Sequence, residues 1–501
     1  MELRGFGDAG VARPITLARP VLAAAALTAL TVVRLMAAAA IPLSPDEAYY
    51  RVWSRALAAG YLDHPPMVAL WIRLGTIFAG PSAFGIRLLA PFAAAVGSLL
   101  LWRAAEMLIP RRGAGLIAAA LLNATLVLGA GAVTMTPDTP LLFFWVCALW
   151  AMAHVLRGDT PAWWLAVGAS TGLALDSKYT AAFLIVGIAL WLLFAGRQWL
   201  ARPWPWLGAA VGLAITMPVL WWNAAHGWAS FVKQGGRIDN PQFHRAARFL
   251  LELIGGQLGL ATPLVLALSI AGVARATWRA WHTRDPVATL LVALTLPPSL
   301  VFIEHALGDR VQGNWPAIIY PAAVIAAATL EASRWRRLYW PASLLGLGIT
   351  LAVYLHAALG LLPIPIRLDP SALQLDGWPQ LATSVDEQRR RFGADFVVAD
   401  QYGAASELAY WLPANVPSVA LGARWRLFDL PKARVAGQTG LLVRSTRRGA
   451  MTGNDGWLDV EPIGTVDRTR NGETIETYRL YRVTSPVASS ELAALPPVIG
   501  R

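Results

Sequence analysis

A series of apolar runs, each close to the ~20 residues an α-helix needs to cross a ~30 Å hydrocarbon core, constrains this chain more than any other feature. The runs lie at about 18–41, 83–109, 114–133, 138–156, 161–176, 180–196, 204–222, 248–273, 287–304, 314–332 and 339–360, which predicts eleven spanning helices. Lipid offers no hydrogen-bond partners, so such segments satisfy their backbones internally as helices. With 56% hydrophobic and 14% charged residues, the chain is excluded from the water-soluble globular class. It reads as a polytopic α-helical membrane protein. The first apolar stretch, from about Val21 to Leu43, is interrupted only by Arg34 and is too long for the apolar region of a cleaved signal peptide, so it is expected to remain as a helix.

The net charge of +12 does not point to nucleic acid, because the arginines cluster between apolar runs, where they act as topology signals. Arg4, Arg13 and Arg19, then Arg111 and Arg112, Arg157, Arg197 and Arg202, Arg275, Arg279 and Arg284, and Arg334, Arg336 and Arg337 fall at alternate span ends. Those ends are predicted to be cytoplasmic. The segments 42–82, 223–247, 305–313 and everything after about 361 are then external, with Arg51, Arg55 and Arg73 as exceptions. Tyr49, Tyr50, Trp53, Tyr61 and Trp71 in the first external segment favour short helices along the interface. After 361 the hydropathy falls. Strand-like Phe396-Val397-Val398-Ala399 and Ser418-Val419-Ala420-Leu421 flank a helix over Ser406 to Leu412, and Tyr478 to Val483 reads as a late strand. The expected organisation is a membrane domain over 1–360 and a soluble external α/β domain over 361–501. Cys147, the only cysteine, lies in an apolar run and reads as a small core residue.

Nearly every unusual polar residue falls on the external side. Ser44-Pro45-Asp46-Glu47-Ala48-Tyr49-Tyr50 follows the first span, and Tyr61-Leu62-Asp63-His64-Pro65-Pro66 comes soon after. Acids beside a bilayer, with prolines that force the chain to fold back, suggest a membrane-surface active site. Thr136-Pro137-Asp138, Ser177-Lys178-Tyr179 and Asn314-Trp315-Pro316 stand at later external span ends.

In order and sidedness these motifs resemble the membrane-embedded GT-C glycosyltransferases. The resemblance is to the superfamily of protein O-mannosyltransferases and lipid A aminoarabinose transferases, in particular its bacterial family 39-like and RgtA/B/C/D-like branch. It covers roughly 18–360, and Asp400-Gln401-Tyr402-Gly403 with Ala405-Ser406-Glu407-Leu408 also looks like the external domain of that branch. The resemblance implies an inner-membrane enzyme that takes a sugar from a polyprenyl phosphate carrier and places it, with inversion, on a lipid A, glycan or protein acceptor at the periplasmic face.

Such a reaction needs a base near the acceptor hydroxyl and cations near the departing lipid phosphate. Asp46 matches the family's first-loop acid and is the candidate base, although an aspartate there also caps a helix well. Glu47 could bind substrate or simply complement the helix dipole. Asp63 and His64 match an acid followed by a base near the lipid phosphate, with histidine here in place of lysine; the pair could instead brace the Pro65-Pro66 bend. Asp138 is a donor-site candidate with helix capping as its competitor. Lys178, beside Tyr179, could meet the lipid phosphate or reach ordinary headgroups. Arg51 is a further phosphate-binding candidate, as are Lys233 and Arg237 in the loop that follows His226-Gly227-Trp228. Asp63, His226 and His305 could form a divalent-metal site, though no ligand spacing such as HExxH supports one. Trp315 could stack on sugar or mark the interface.

No GxxxxGK[ST] and no strand-linked GxGxxG appears, which disfavours a nucleotide-sugar donor. The competing function is a transporter or flippase of a lipid substrate. Transporters place their ionisable groups near the midplane, whereas this chain gathers its acids and Lys178 at one external face and adds a soluble domain there.

Overall fold

The computed structural model describes residues 18–235, 241–451, 453–454, 456–485 and 492–498. Among them, six helices are long and apolar enough to cross a membrane: Val21–Ala40, Ala83–Leu108, Asp138–Arg157, Pro203–Ala225, Pro286–Gly308 and Ser333–Leu359. The expected single span at 248–273 is two helices, Phe243–Leu260 and Pro263–Thr283, bent by 106°. Thr262, at a φ of 65°, and Pro263, which opens the second helix, break the run there. Four other expected spans correspond to shorter apolar helices, Ala114–Asn123, Trp163–Leu175, Tyr179–Phe194 and Trp315–Ala328. By length and composition, the described residues thus provide six helices able to cross a membrane, or seven with the bent pair counted as one span. The run 114–133, for example, breaks where the Thr125 hydroxyl caps a separate short helix, Leu126–Gly131.

Short helices hold together here by close backbone approach. A Cβ on Gly168 would stand 1.8 Å from the Gly208 carbonyl oxygen, and one on Gly208 would stand 2.3 Å from that of Trp164. Helices Trp163–Leu175 and Pro203–Ala225 thus pack through small residues, the usual device where lipid supplies no hydrophobic drive. Gly168→Leu is expected to destabilise the protein by about 1–3 kcal/mol or more, read as a lower unfolding midpoint in detergent. An unchanged midpoint would mean the two helices are not held at this distance.

The segment 42–82 contains helices Pro45–Arg55 and Met67–Ala79. The C-terminal part forms a six-stranded sheet of β1 (Phe396–Ala399), β2 (Ser418–Leu421), β3 (Thr439–Ser445), β4 (Asp459–Arg470), β5 (Glu473–Thr484) and β6 (Leu492–Leu495), in the order β4-β5-β3-β1-β2-β6. β1 runs parallel to β2 and β3, and the other pairings are antiparallel. The β1–β2 crossover is helix Tyr402–Trp411. It begins four residues before the expected Ser406, because the Gln401 side chain caps it by accepting from the Ala404 N–H at 2.9 Å. Helix Pro45–Arg55 and the sheet domain share one apolar core, in which Tyr49, Trp53 and Tyr61 meet Leu408, Trp425 and Phe428.

Candidate active site

Ser44 starts helix Pro45–Arg55 with a reciprocal cap: its hydroxyl accepts from the Glu47 N–H at 3.3 Å, and the Glu47 carboxylate accepts from the Ser44 N–H at 3.1 Å. Glu47 then points inward. It is fully buried and accepts from Arg87 through both oxygens at 2.6 Å and from the Met135 N–H at 2.9 Å. The expectation that Glu47 binds substrate is corrected: it anchors the helix and does not line the cavity described next. Arg51 is likewise corrected. It is buried and donates to the carbonyls of Pro496 and Pro497 at 2.8 and 2.6 Å, clamping this helix to the C-terminal segment.

Successive helical residues point about 100° apart, so Asp46 faces away from Glu47. It opens into a cavity of about 650 Å³ that also receives Asp63, His64, Asp138, Lys178 and Tyr179. Asp46 is accessible at the cavity surface, and partial loss of water around its carboxyl raises it above the ordinary value. A hydrogen bond from the Tyr402 hydroxyl at 2.9 Å opposes that rise, the charges of Asp63 and Glu47 add to it, and Arg424 works against it.

Asp63 is tied from several directions. Its carboxylate accepts from Tyr49 at 2.9 Å and pairs with Lys233 at 3.1 Å and Arg424 at 3.4 Å, while its carbonyl accepts from Gln234 at 2.7 Å. Burial alone would raise its pKa, but Arg424 and Lys233 outweigh burial and hold it below the ordinary value.

Asp138 does not cap its helix with its side chain. Both of its oxygens accept from the Lys178 ammonium, at 2.8 and 2.9 Å, and one also accepts from Asn314 at 2.6 Å. Two of the three ammonium protons are thereby used, which leaves one for a ligand. The Tyr179 hydroxyl meets Ser230 at 2.5 Å, and Asn223 donates to it at 3.4 Å.

The three residues expected to hold a metal are not brought together. Asp63 and His305 line the cavity, but His226 stacks on Trp222 at 4.2 Å and bonds that residue's carbonyl. Among the described residues, no group of three His, Cys, Asp or Glu side chains is placed to hold a metal ion. Trp315 lines the cavity with its ring 5.5 Å from that of His305. Arg237 lies outside the described residues. Tyr402, Arg424, Arg310 and Asn314 bear on the site without having been assigned roles from the sequence. Tyr402 stood in a segment noted only for its resemblance, and Arg424 gave no local signal.

Two apolar grooves adjoin the polar cavity. One, of about 530 Å³, runs between helices Trp163–Leu175, Ala182–Phe194 and Pro203–Ala225 and shares Tyr179 with it. The other, of about 480 Å³, lies against the bent helix pair and shares Phe302. The site can therefore hold polar headgroups with apolar chains beside them.

Residues 63–222 match the family model described as dolichyl-phosphate-mannose-protein mannosyltransferase. The chain is 26% identical over 378 residues to the lipid A galacturonosyltransferase RgtD of Rhizobium johnstonii, covering 73% of this chain and 77% of that one. It is 27% identical over 332 residues to the undecaprenyl phosphate-alpha-4-amino-4-deoxy-L-arabinose arabinosyl transferase of Pseudomonas aeruginosa, covering 59% of this chain and 58% of the relative, a little over half its length. The fold is similar to that of ArnT from Cupriavidus metallidurans in its crystal structure bound to undecaprenyl phosphate, with a TM-score of 0.61 at 15% identity over 93% of this chain and 98% of that one. The similarity read from the sequence motifs thus holds at the level of the fold.

Proposed function

We propose that this chain, an integral membrane glycosyltransferase with the GT-C fold, moves a sugar from a polyprenyl phosphate to a lipid A-type glycolipid at the external membrane face. The observation that carries this reading is one polar cavity in which Asp46 shares walls with the Lys178–Asp138 pair and which adjoins apolar grooves at Tyr179 and Phe302. The lipid A acceptor rests on the name of the galacturonosyltransferase relative, and uronic acid and aminoarabinose, from the names of both relatives, are the sugars to test first. The external placement rests on helix direction. Asp138 opens the helix that Arg157 closes, and Lys178 follows one whose far end leads back to Arg157. The arginine-rich ends therefore lie opposite the cavity.

In this reading Asp46 accepts the proton of the attacking acceptor hydroxyl as its oxygen bonds to the anomeric carbon. The bond from that carbon to the lipid phosphate breaks, and the phosphate leaves with its electron pair toward the free proton of Lys178. An acceptor that is itself a phosphate would already be ionised, and Asp46 would then orient it. The transporter reading is disfavoured, since the cavity's acids and Lys178 gather at one end of the helices.

The test is transfer of labelled sugar from its polyprenyl phosphate to lipid A by protein reconstituted in lipid. Lys178→Met combined with Asp138→Asn removes both members of the buried pair, so neither charge is left uncompensated. The double variant is expected to raise the donor KM by about ten-fold or more, since a charge-assisted bond to phosphate is lost. An unchanged donor KM in folded protein would remove Lys178 from the phosphate site.

A further inference from the structure

We propose that the C-terminal sheet domain is part of the active site, and that Tyr402 is a positioning residue that holds the Asp46 carboxylate for proton transfer. The proposal rests on the reading of Asp46 as base, and the geometry of Asp400-Gln401-Tyr402-Gly403 carries it.

Each residue of that segment contributes to delivering one hydroxyl. Asp400 follows β1 and is fixed by Arg444 at 2.5 Å. Gln401 caps the next helix, so Tyr402 sits in its first turn. Gly403 lets that helix rest on the start of helix Pro45–Arg55, for a Cβ there would stand 2.9 Å from the Pro45 Cβ. The Tyr402 ring is then held between neighbours. It lies 4.7 Å from the Tyr49 ring, and the Arg424 guanidinium stands 4.4 Å from its centroid. What emerges into the cavity is its hydroxyl, which donates to one Asp46 oxygen at 2.9 Å across 356 residues of sequence.

A donor on one oxygen fixes the carboxylate plane and leaves the other oxygen for the acceptor. It also favours the ionised form that a base requires. Of the groups acting on Asp46, Asp63 and Glu47 disfavour that form and Arg424 supports it; Tyr50, His64, the Lys178–Asp138 pair, Tyr179, His305, Asp309 and Arg310 also line the cavity. Burial raises the Tyr402 pKa, as do Asp46 and its hydrogen bond, so the phenol stays protonated and keeps donating.

Tyr402→Phe keeps the ring, and with it the contacts to Tyr49 and Arg424, and removes only the hydroxyl. Its kcat at neutral pH is expected to fall about ten-fold or more, with donor KM unchanged within about two-fold. Without the hydroxyl the Asp46 pKa rises further, so the acid limb of the kcat profile moves to higher pH and the deficit shrinks as pH is raised. A merely structural role would not move that limb. Gly403→Ala, which must displace the helix from Pro45, is expected to shift it in the same direction. Wild-type kcat and an unshifted limb in folded Tyr402→Phe, alongside an inactive Asp46→Asn, would overturn the positioning role while leaving Asp46 as base. Full activity of Asp46→Asn would overturn the base assignment and this inference with it.

Discussion

Asp46→Asn is expected to lower transfer by about 10²–10⁴-fold, the usual contribution of a general base, while the protein stays folded in the membrane. Asparagine keeps the shape of the side chain and can still accept the hydrogen bond that Tyr402 donates. What it loses is the ability to take a proton. Asp46 opens into the cavity and, among the described residues, makes no ion pair, so little packing depends on its charge. Because its carboxyl titrates above the ordinary range, wild-type activity should fall as pH drops through that raised value, at a higher pH than for a free aspartate. Initial rates at saturating donor, compared with unfolding midpoints in detergent, separate lost chemistry from lost structure. Near wild-type rates would remove Asp46 as base and favour an acceptor that is already ionised.

The neighbouring acid should behave in the opposite way. Glu47→Ala is expected to cost about 3–5 kcal/mol, because it leaves the Arg87 guanidinium buried without its carboxylate. It also strips the Met135 N–H of its acceptor and opens the helix cap at Ser44. Arg87 would keep only its bonds to the carbonyls of Ala38, Ile41 and Pro42. The loss should appear as poor recovery of folded protein and a markedly lower unfolding midpoint. A Glu47→Ala protein that is as stable as wild type but inactive would return Glu47 to the substrate site.

Much of this site is legible in the sequence because a membrane reduces the ways a chain can be arranged. Asp46, Asp63, His64, Asp138, Lys178 and Tyr179 all fall in segments predicted to share one side, and they do line one cavity. Spacing alone does not say which way a side chain points on a short helix. Asp46 and Glu47 are adjacent, yet one faces the cavity and the other Arg87. Arg51 lies one turn further along and meets the far end of the chain. Tyr402 and Arg424 were hidden for a different reason. Their partners lie hundreds of residues away, and only the packing of the sheet domain on helix Pro45–Arg55 brings them together.

The same logic applies to the fold. Hydropathy records that 248–273 is apolar but not that the chain turns by 106° within it, although Thr262-Pro263 marks the place. The strands β4 and β6 are hard to see in the sequence because their character is weak in isolation, whereas β3 carries a buried Leu441-Leu442-Val443 run that a strand reading could have used. β4 has largely exposed residues, and β6 is only four residues long. The hairpin joining β4 and β5 did carry a signal in Asn471-Gly472, both at positive φ, as a two-residue turn requires.

The central claim is transfer from a polyprenyl-linked sugar to a lipid acceptor. It is tested most directly by incubating reconstituted protein with lipid A and a panel of donors and then measuring the mass of the lipid. The panel contains polyprenyl-phosphate-linked galacturonic acid, aminoarabinose and mannose, together with a nucleotide-linked sugar. The predicted result is a gain of one sugar residue from a single polyprenyl-linked donor, none from the nucleotide-linked sugar, and a gain slowed by about 10²-fold or more with Asp46→Asn. No mass gain from any polyprenyl-linked donor, or a gain from the nucleotide-linked one, would contradict the account.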